Sequence, residues 1–258
     1  VNAKIKKPPY IYSLSPKHVY QKAIESIEKA FKLRTQEGFF KSKVPTQPLR
    51  NITPSEVYEI VQRLDASITL IIQKNYDKNE KLYQHIIKRK RYIDKTSSDV
   101  YYNLAIISNT IDELSGTQYT PNETYILAIE INKKIDNLLE YFNIKKVKIK
   151  KEFLNKNPND VFDITFELFN TIKNINLRAN IHSANVKMPR EKDITPNTNY
   201  NKLRLVIASI NEFEIIFGIT HDIETISLEK ENKTPTDVYT AIHIANEKLN
   251  RILNNENY

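Results

Sequence analysis

The chain has 258 residues, 40% hydrophobic and 27% charged positions and a formal net charge of +8, which is enough apolar content for one large or two small packed cores. It has three Gly, Gly38, Gly116 and Gly218, so no glycine-rich phosphate cradle can be written. It has no Cys, which removes disulfides, thiolate zinc sites, iron–sulfur ligation and cysteine nucleophiles.

Along the chain one phrase recurs seven times. It opens at Ser15-Pro16, Thr53-Pro54, Ser97-Ser98, Thr120-Pro121, Asn157-Pro158, Thr195-Pro196 and Thr234-Pro235. Each phrase has the chemistry of a helix start. A Ser, Thr or Asn oxygen accepts from an orphan amide, Pro presets φ where no donor is needed, and an acid such as Glu56, Asp99 or Asp237 suits the positive helix end. Leu14 with Val19, and Ile52 with Val57, add hydrophobic staples.

Apolar residues then recur at steps of three and four, as in Val100, Leu104, Ile107, Ile111 and Leu114, or Val238, Ile242, Ala245, Leu249 and Ile252. That period predicts helices over 16–36, 54–75, 97–115, 121–142, 158–178, 196–217 and 235–254. The predicted class is all-α, built from antiparallel bundles. Tandem repeat families of the tetratricopeptide type are the nearest architectural analogy, but their 34-residue period is absent.

A longer period points to duplication. Tyr20 and Phe162 are 142 residues apart, as are Tyr58 and Tyr200, Val44 and Val186, and Pro54 and Pro196. The expected organisation is a first bundle copy over 1–142, a basic linker over 143–157 and a three-helix second copy over 158–258. The helix opening at Pro121 then has no counterpart: the second unit has three helices, has lost a fourth, or takes one from a neighbouring molecule, and the last option predicts an open apolar groove on the second copy. Connections of about 17 residues, at 37–53 and 179–195, are expected to lie across the bundle as ordered crossovers.

An aromatic follows each helix start: Tyr20, Tyr58, Tyr101, Tyr125, Phe162, Tyr200 and Tyr239. Such rings can stack bases or sugars, but the expected role is packing beside the first turn. Positive charge is local. Residues 81–95, with Lys88, Arg89, Lys90 and Arg91, carry a net +5, and 145–151, with Lys145, Lys146, Lys148, Lys150 and Lys151, another +5. These patches suit a polyanion, nucleic acid or acidic glycan, or serve as solvated loops.

For catalysis the only near-signature is His221-Asp222 with His182 upstream and Asp237 downstream, which is similar to metal-dependent phosphohydrolases of the HD type. No Glu-x-x-His or His-Glu-x-x-His pattern is present. The reading is therefore a non-enzymatic interaction, scaffold or assembly module without cofactor or metal. Its partner is expected to be a protein or a second copy of the chain. Polyanion binding and an HD-type hydrolase are the alternatives. No apolar run is long enough to span a membrane, and a start at Val1 is read as a weak sign of a processed, exported chain.

Overall fold

The computed structural model describes residues 7–75, 93–116, 119–146, 149, 151–219 and 232–255. Among these it has seven long α-helices and no strand: α1 (Pro16–Gln36), α2 (Pro54–Asn75), α3 (Ser97–Ser115), α4 (Pro121–Tyr141), α5 (Pro158–Arg178), α6 (Pro196–Ile216) and α7 (Pro235–Leu253). A short 3-10 turn spans His182–Asn185. Every helix begins at the residue expected from its phrase.

The caps explain this. At α3, α5 and α7 the N-cap side chain (Thr96, Asn157, Thr234) accepts from the third helical amide, while Asp99, Asp160 or Asp237 takes the N-cap N–H in return. At α4 the Glu123 carboxylate takes the Thr120 N–H at 2.7 Å. At α6 a hydroxyl, Thr198, replaces the acid.

The helix ends follow a second rule. Gly38, Asn143, Asn180 and Gly218 all have positive φ, and each follows its N1 proline (Pro16, Pro121, Pro158, Pro196) at the same spacing. The next residue, Phe39, Ile144, Ile181 or Ile219, donates its N–H five residues back at 2.8–2.9 Å. This is the Schellman arrangement, in which a left-handed residue turns the chain out of the helix.

The chain divides into two compact units, one of residues 1–10, 18–48 and 52–117, the other of 11–17, 49–51 and 118–258. The second unit therefore contains α4, which the sequence reading placed with the first copy. Within it α4 packs on α6 and α7, and α5 packs on the same two, closing a ring in the order α4, α7, α5, α6. No groove is left for a missing helix in that ring. The core is a continuous column that includes Leu127, Ile131, Leu168, Ile172, Leu203, Ile207, Ile242 and Leu249, each at most 3% exposed.

The four helices of this ring are parallel, which corrects the antiparallel expectation. Their N-termini meet. Tyr119 N–H, before α4, donates to Asn197 Oδ1 in α6 at 2.6 Å. Lys233 N–H, before α7, donates to Asn122 Oδ1 in α4 at 2.6 Å. Lys156 N–H, before α5, donates to Thr236 Oγ1 in α7 at 3.0 Å. Asn199 Nδ2 in α6 reaches the Pro158 carbonyl of α5 at 2.9 Å. The prolines Pro121, Pro158, Pro196 and Pro235 surround one cavity of about 20 Å³ at this end. At the other end Phe142, after α4, meets Phe213 and Phe217 of α6 and its cap, and Arg178 of α5 bonds the Leu253 carbonyl of α7.

The reason lies in the connections. A parallel neighbour requires the chain to travel back the full helix length, about 30 Å, and the roughly 17-residue connections reach up to about 50 Å when extended. The connection after α4 makes the journey along α7, in reverse. Lys145 accepts from Arg251, Lys151 pairs with Glu247 at 3.6 Å, Phe153 packs on His243 and Tyr239, and Lys156 meets Thr236. The connection after α5 buries Ile181, Ala184, Val186 and Met188, and returns where Arg190 pairs with Asp163 and Glu191 with Lys202, both at 2.7 Å.

The first unit shows the same sense of direction. Glu37 at the end of α1 bonds Lys74 and Asn75 at the end of α2, and Lys29 in the middle of α1 meets Ser108 and Asp112 of α3.

Orientation is directly measurable because the chain has no Cys. Spin labels at Leu177→Cys and Ile216→Cys, both in exposed last turns, should report a separation near one helix spacing, about 10 Å plus the labels, where antiparallel helices would give about 30 Å.

Candidate functional site

In the first unit a charged cluster is buried: Lys22, Glu25 and Lys29 of α1 are each at most 4% exposed. Glu25 Oε1 accepts from Ser108 Oγ and pairs with Lys29 Nζ, both at 2.7 Å, and its other oxygen pairs with Lys22. Lys29 Nζ also reaches Asp112 Oδ2 at 2.6 Å. Burial alone would raise the Glu25 pKa, but the two lysines more than reverse that and hold it at about 2. Burial pushes the Lys22 pKa down despite Glu25, and pushes Asp112 up despite Lys29. Two ammonium groups and two carboxylates balance one another. The cluster ties the middle of α1 to α3.

In the second unit the C-terminal end of the ring carries a recess of about 750 Å³. One wall is the chain leaving α4, Tyr141 to Ile144; the other is Arg251, Asn254 and Asn255 at the end of α7. The positive φ of Asn143 makes the sharp exit that places Ile144 on this wall, and Ile144 N–H is tied to the Leu139 carbonyl at 2.8 Å. Phe142 is held from behind by Phe213 and Phe217, and Tyr141 meets Phe142 edge-on at 5.0 Å. Arg251 Nη1 donates to the Lys145 carbonyl at 2.6 Å, so its guanidinium is fixed across the two walls. Around this end Tyr141, Leu177 and Ile216, in the last turns of α4, α5 and α6, are 49%, 63% and 57% exposed. Large apolar side chains gathered at one end of a bundle are the usual mark of a contact surface.

The residues singled out in the sequence fall elsewhere. Lys88, Arg89, Lys90 and Arg91 lie outside the described residues, as do Lys148 and Lys150. Of the second basic run, Lys146 pairs with Glu140 at 3.1 Å and Lys151 with Glu247, while Lys145 is exposed beside the recess. His182 stands in the 3-10 turn, and His221 and Asp222 lie outside the described residues. Among the described residues no group of three His, Cys, Asp or Glu could hold a metal ion, and no helix is long and apolar enough to cross a membrane.

The repeated aromatics do not converge. Tyr101, Phe162 and Tyr200 are buried, Tyr20, Tyr125 and Tyr239 half-buried, and Tyr58 is exposed. Tyr200 stacks on Tyr119 at 3.6 Å and its hydroxyl accepts from Arg204 at 2.6 Å. Tyr239 meets Phe153 edge-on at 4.8 Å and carries the Lys156 ammonium over its ring at 4.6 Å.

The recess residues lie at or after the helix ends and carry none of the capping chemistry that marks the helix starts. The signal was present at the helix ends, where Asn143-Ile144, Asn180-Ile181, Gly218-Ile219 and Gly38-Phe39 each pair a left-handed former with an apolar residue.

Because the folded Glu25 pKa lies below its unfolded value, its contribution is present above about pH 4.5 and is lost as pH falls toward 2. Glu25→Gln should remove that part of the acid sensitivity. It should also cost about 3–5 kcal/mol at neutral pH, as the lysines are left uncompensated in the interior; denaturant titration across pH checks both. Comparison of the chain with protein-family models, curated proteins and solved structures gives no match, so its function is read from this geometry alone.

Proposed function

We propose that the chain is a non-enzymatic interaction module, and that the C-terminal end of the second unit's ring is its contact surface. The observation that carries this reading is the exposure of Tyr141, Leu177 and Ile216 in the last turns of three helices at one end of the ring, with Tyr141 lining the recess. A parallel ring supports such a role mechanically. Its four helix ends lie on one side, those of α4 and α6 joined by Phe142, Phe213 and Phe217 and those of α5 and α7 by Arg178, so a partner meets a preformed platform and little ordering cost opposes binding. Basic groups there, Lys145, Lys146 and Arg251, offset the negative ends of the helix dipoles and leave the face polar at its edge. The expected partner is a protein, or a second copy of the chain.

Replacing Tyr141, Leu177 and Ile216 together by Asp tests the reading, since all three are exposed and the fold should survive. Wild type should either associate with itself in sedimentation velocity at high concentration or retain a protein from its source extract, and the triple variant should lose that behaviour by tenfold or more. Identical behaviour of the two proteins would sink the proposal. Salt-sensitive binding to heparin, abolished on reversing Lys88, Arg89, Lys90 and Arg91, would instead make the molecule a polyanion binder.

A further inference from the structure

The starts of the four ring helices meet around one small cavity, and a single position of the repeated phrase decides what it can hold. In five of the seven phrases the fourth helical residue is Val: Val19, Val57, Val100, Val161 and Val238. In the other two it is polar, Thr124 in α4 and Asn199 in α6. We infer that these two exceptions build a binding site for one water molecule at the N-terminal end of the ring.

The walls come from equivalent positions of all four helices. The four N1 prolines, each half-buried, form the rim. Thr124, Val161, Asn199 and Val238, one turn further in, form the floor, and each is at most 3% exposed. Because α4 and α6 are neighbours in the ring, the two polar floor residues belong to adjacent helices.

The chemistry of the occupant follows from which polar groups are already used. Asn199 Nδ2 donates to the Pro158 carbonyl at 2.9 Å, a bond that only the NH₂ end of the amide can make, so the orientation of the side chain is fixed. That leaves Oδ1, which is buried and has no hydrogen-bond partner among the described residues. A buried acceptor of this kind calls for a donor. Thr124 does not supply one, since its hydroxyl donates to the Thr120 carbonyl at 3.1 Å and keeps only lone pairs for the cavity.

These two acceptors select against charged occupants. An anion at four helix starts would need N–H donors, but the rim residues are prolines, and the N–H of each floor residue bonds its own N-cap carbonyl at 3.1–3.2 Å. A cation would meet the positive ends of four parallel dipoles. A neutral donor meets neither objection, and a volume of about 20 Å³ admits one water and nothing larger. The water gives one proton to Asn199 Oδ1 and the other to Thr124 Oγ1, with its oxygen toward the open rim. It thereby joins α4 to α6 inside the circle of direct bonds that ties the helix starts.

The test follows magnetisation transfer between solvent water and the methyl groups of Val161 and Val238 by NMR on the full chain. A held water gives laboratory-frame and rotating-frame Overhauser peaks of opposite sign, whereas passing solvent gives the same sign. Wild type should show opposite signs at both valines. Thr124→Val removes a hydroxyl that could relay the signal by proton exchange and leaves Oδ1 in place, so the opposite-sign peaks should persist. Asn199→Val installs the residue used in five other phrases and should abolish them. Absent or same-sign peaks in wild type, their loss in Thr124→Val, or their survival in Asn199→Val would overturn the inference. The first two comparisons decide it even if Asn199→Val, which also loses the bond to Pro158, fails to fold.

Discussion

Four helices that point the same way place like ends side by side. Each N-terminus carries roughly half a positive charge and four unpaired amides, and each C-terminus the reverse, so a parallel ring concentrates what an antiparallel one would cancel. The rest of the second unit can be read as the response. Glu123, Asp160 and Asp237 stand at the positive end, one in each of three helices. The backbone amide preceding α4, α5 and α7 is taken by an Asn or Thr of the neighbouring helix start. At the negative end Arg178 and Arg251 bond carbonyls directly.

The same orientation decides where the chain must go between helices. The connections after α4 and α5 each cover a helix length, and a segment of that length remains ordered only if it packs. Both do so, with Phe153 against α7, and Val186 and Met188 in the interior. What reads in the sequence as a basic linker between copies is, in its described residues, a return segment lying along α7. The price of that arrangement is paid in buried polar groups. Lys134 and Glu214 pair at 2.7 Å inside the ring, and Lys29, Glu25 and Asp112 do so in the first unit. Such pairs are poor sources of net stability but penalise any shift that separates them, and so they fix which turn of one helix faces which turn of the next.

Much of this was legible beforehand, and the part that was not has a definable cause. Helix positions could be read because capping is local: Thr234, Pro235 and Asp237 specify a start without reference to anything else in the chain. Orientation could not be read from periodicity, since Val238, Ile242, Ala245 and Leu249 make the same stripe whichever way the neighbour runs. The connection lengths do hold that information, since a crossover of about 17 residues can end a full helix length away. The pairing of α4 with α5 to α7 was hidden because the 142-residue register compares sequence positions, whereas the ring is decided by which apolar faces meet. The recess was hidden because its residues follow the helices, where Tyr141, Phe142 and Arg251 look like ordinary surface side chains.

One consequence follows from the equal spacing between each N1 proline and the left-handed residue that ends its helix. In the second unit α4 and α5, each together with its return connection, begin and finish at the same end of the ring. Such a unit is complete in itself: adding or removing one leaves the direction of every other helix unchanged. A bundle of antiparallel helices with short loops can change only by pairs if its remaining helices are to keep their directions. Within that ring a single repeat of about 38 residues can therefore be gained or lost without reversing any other helix.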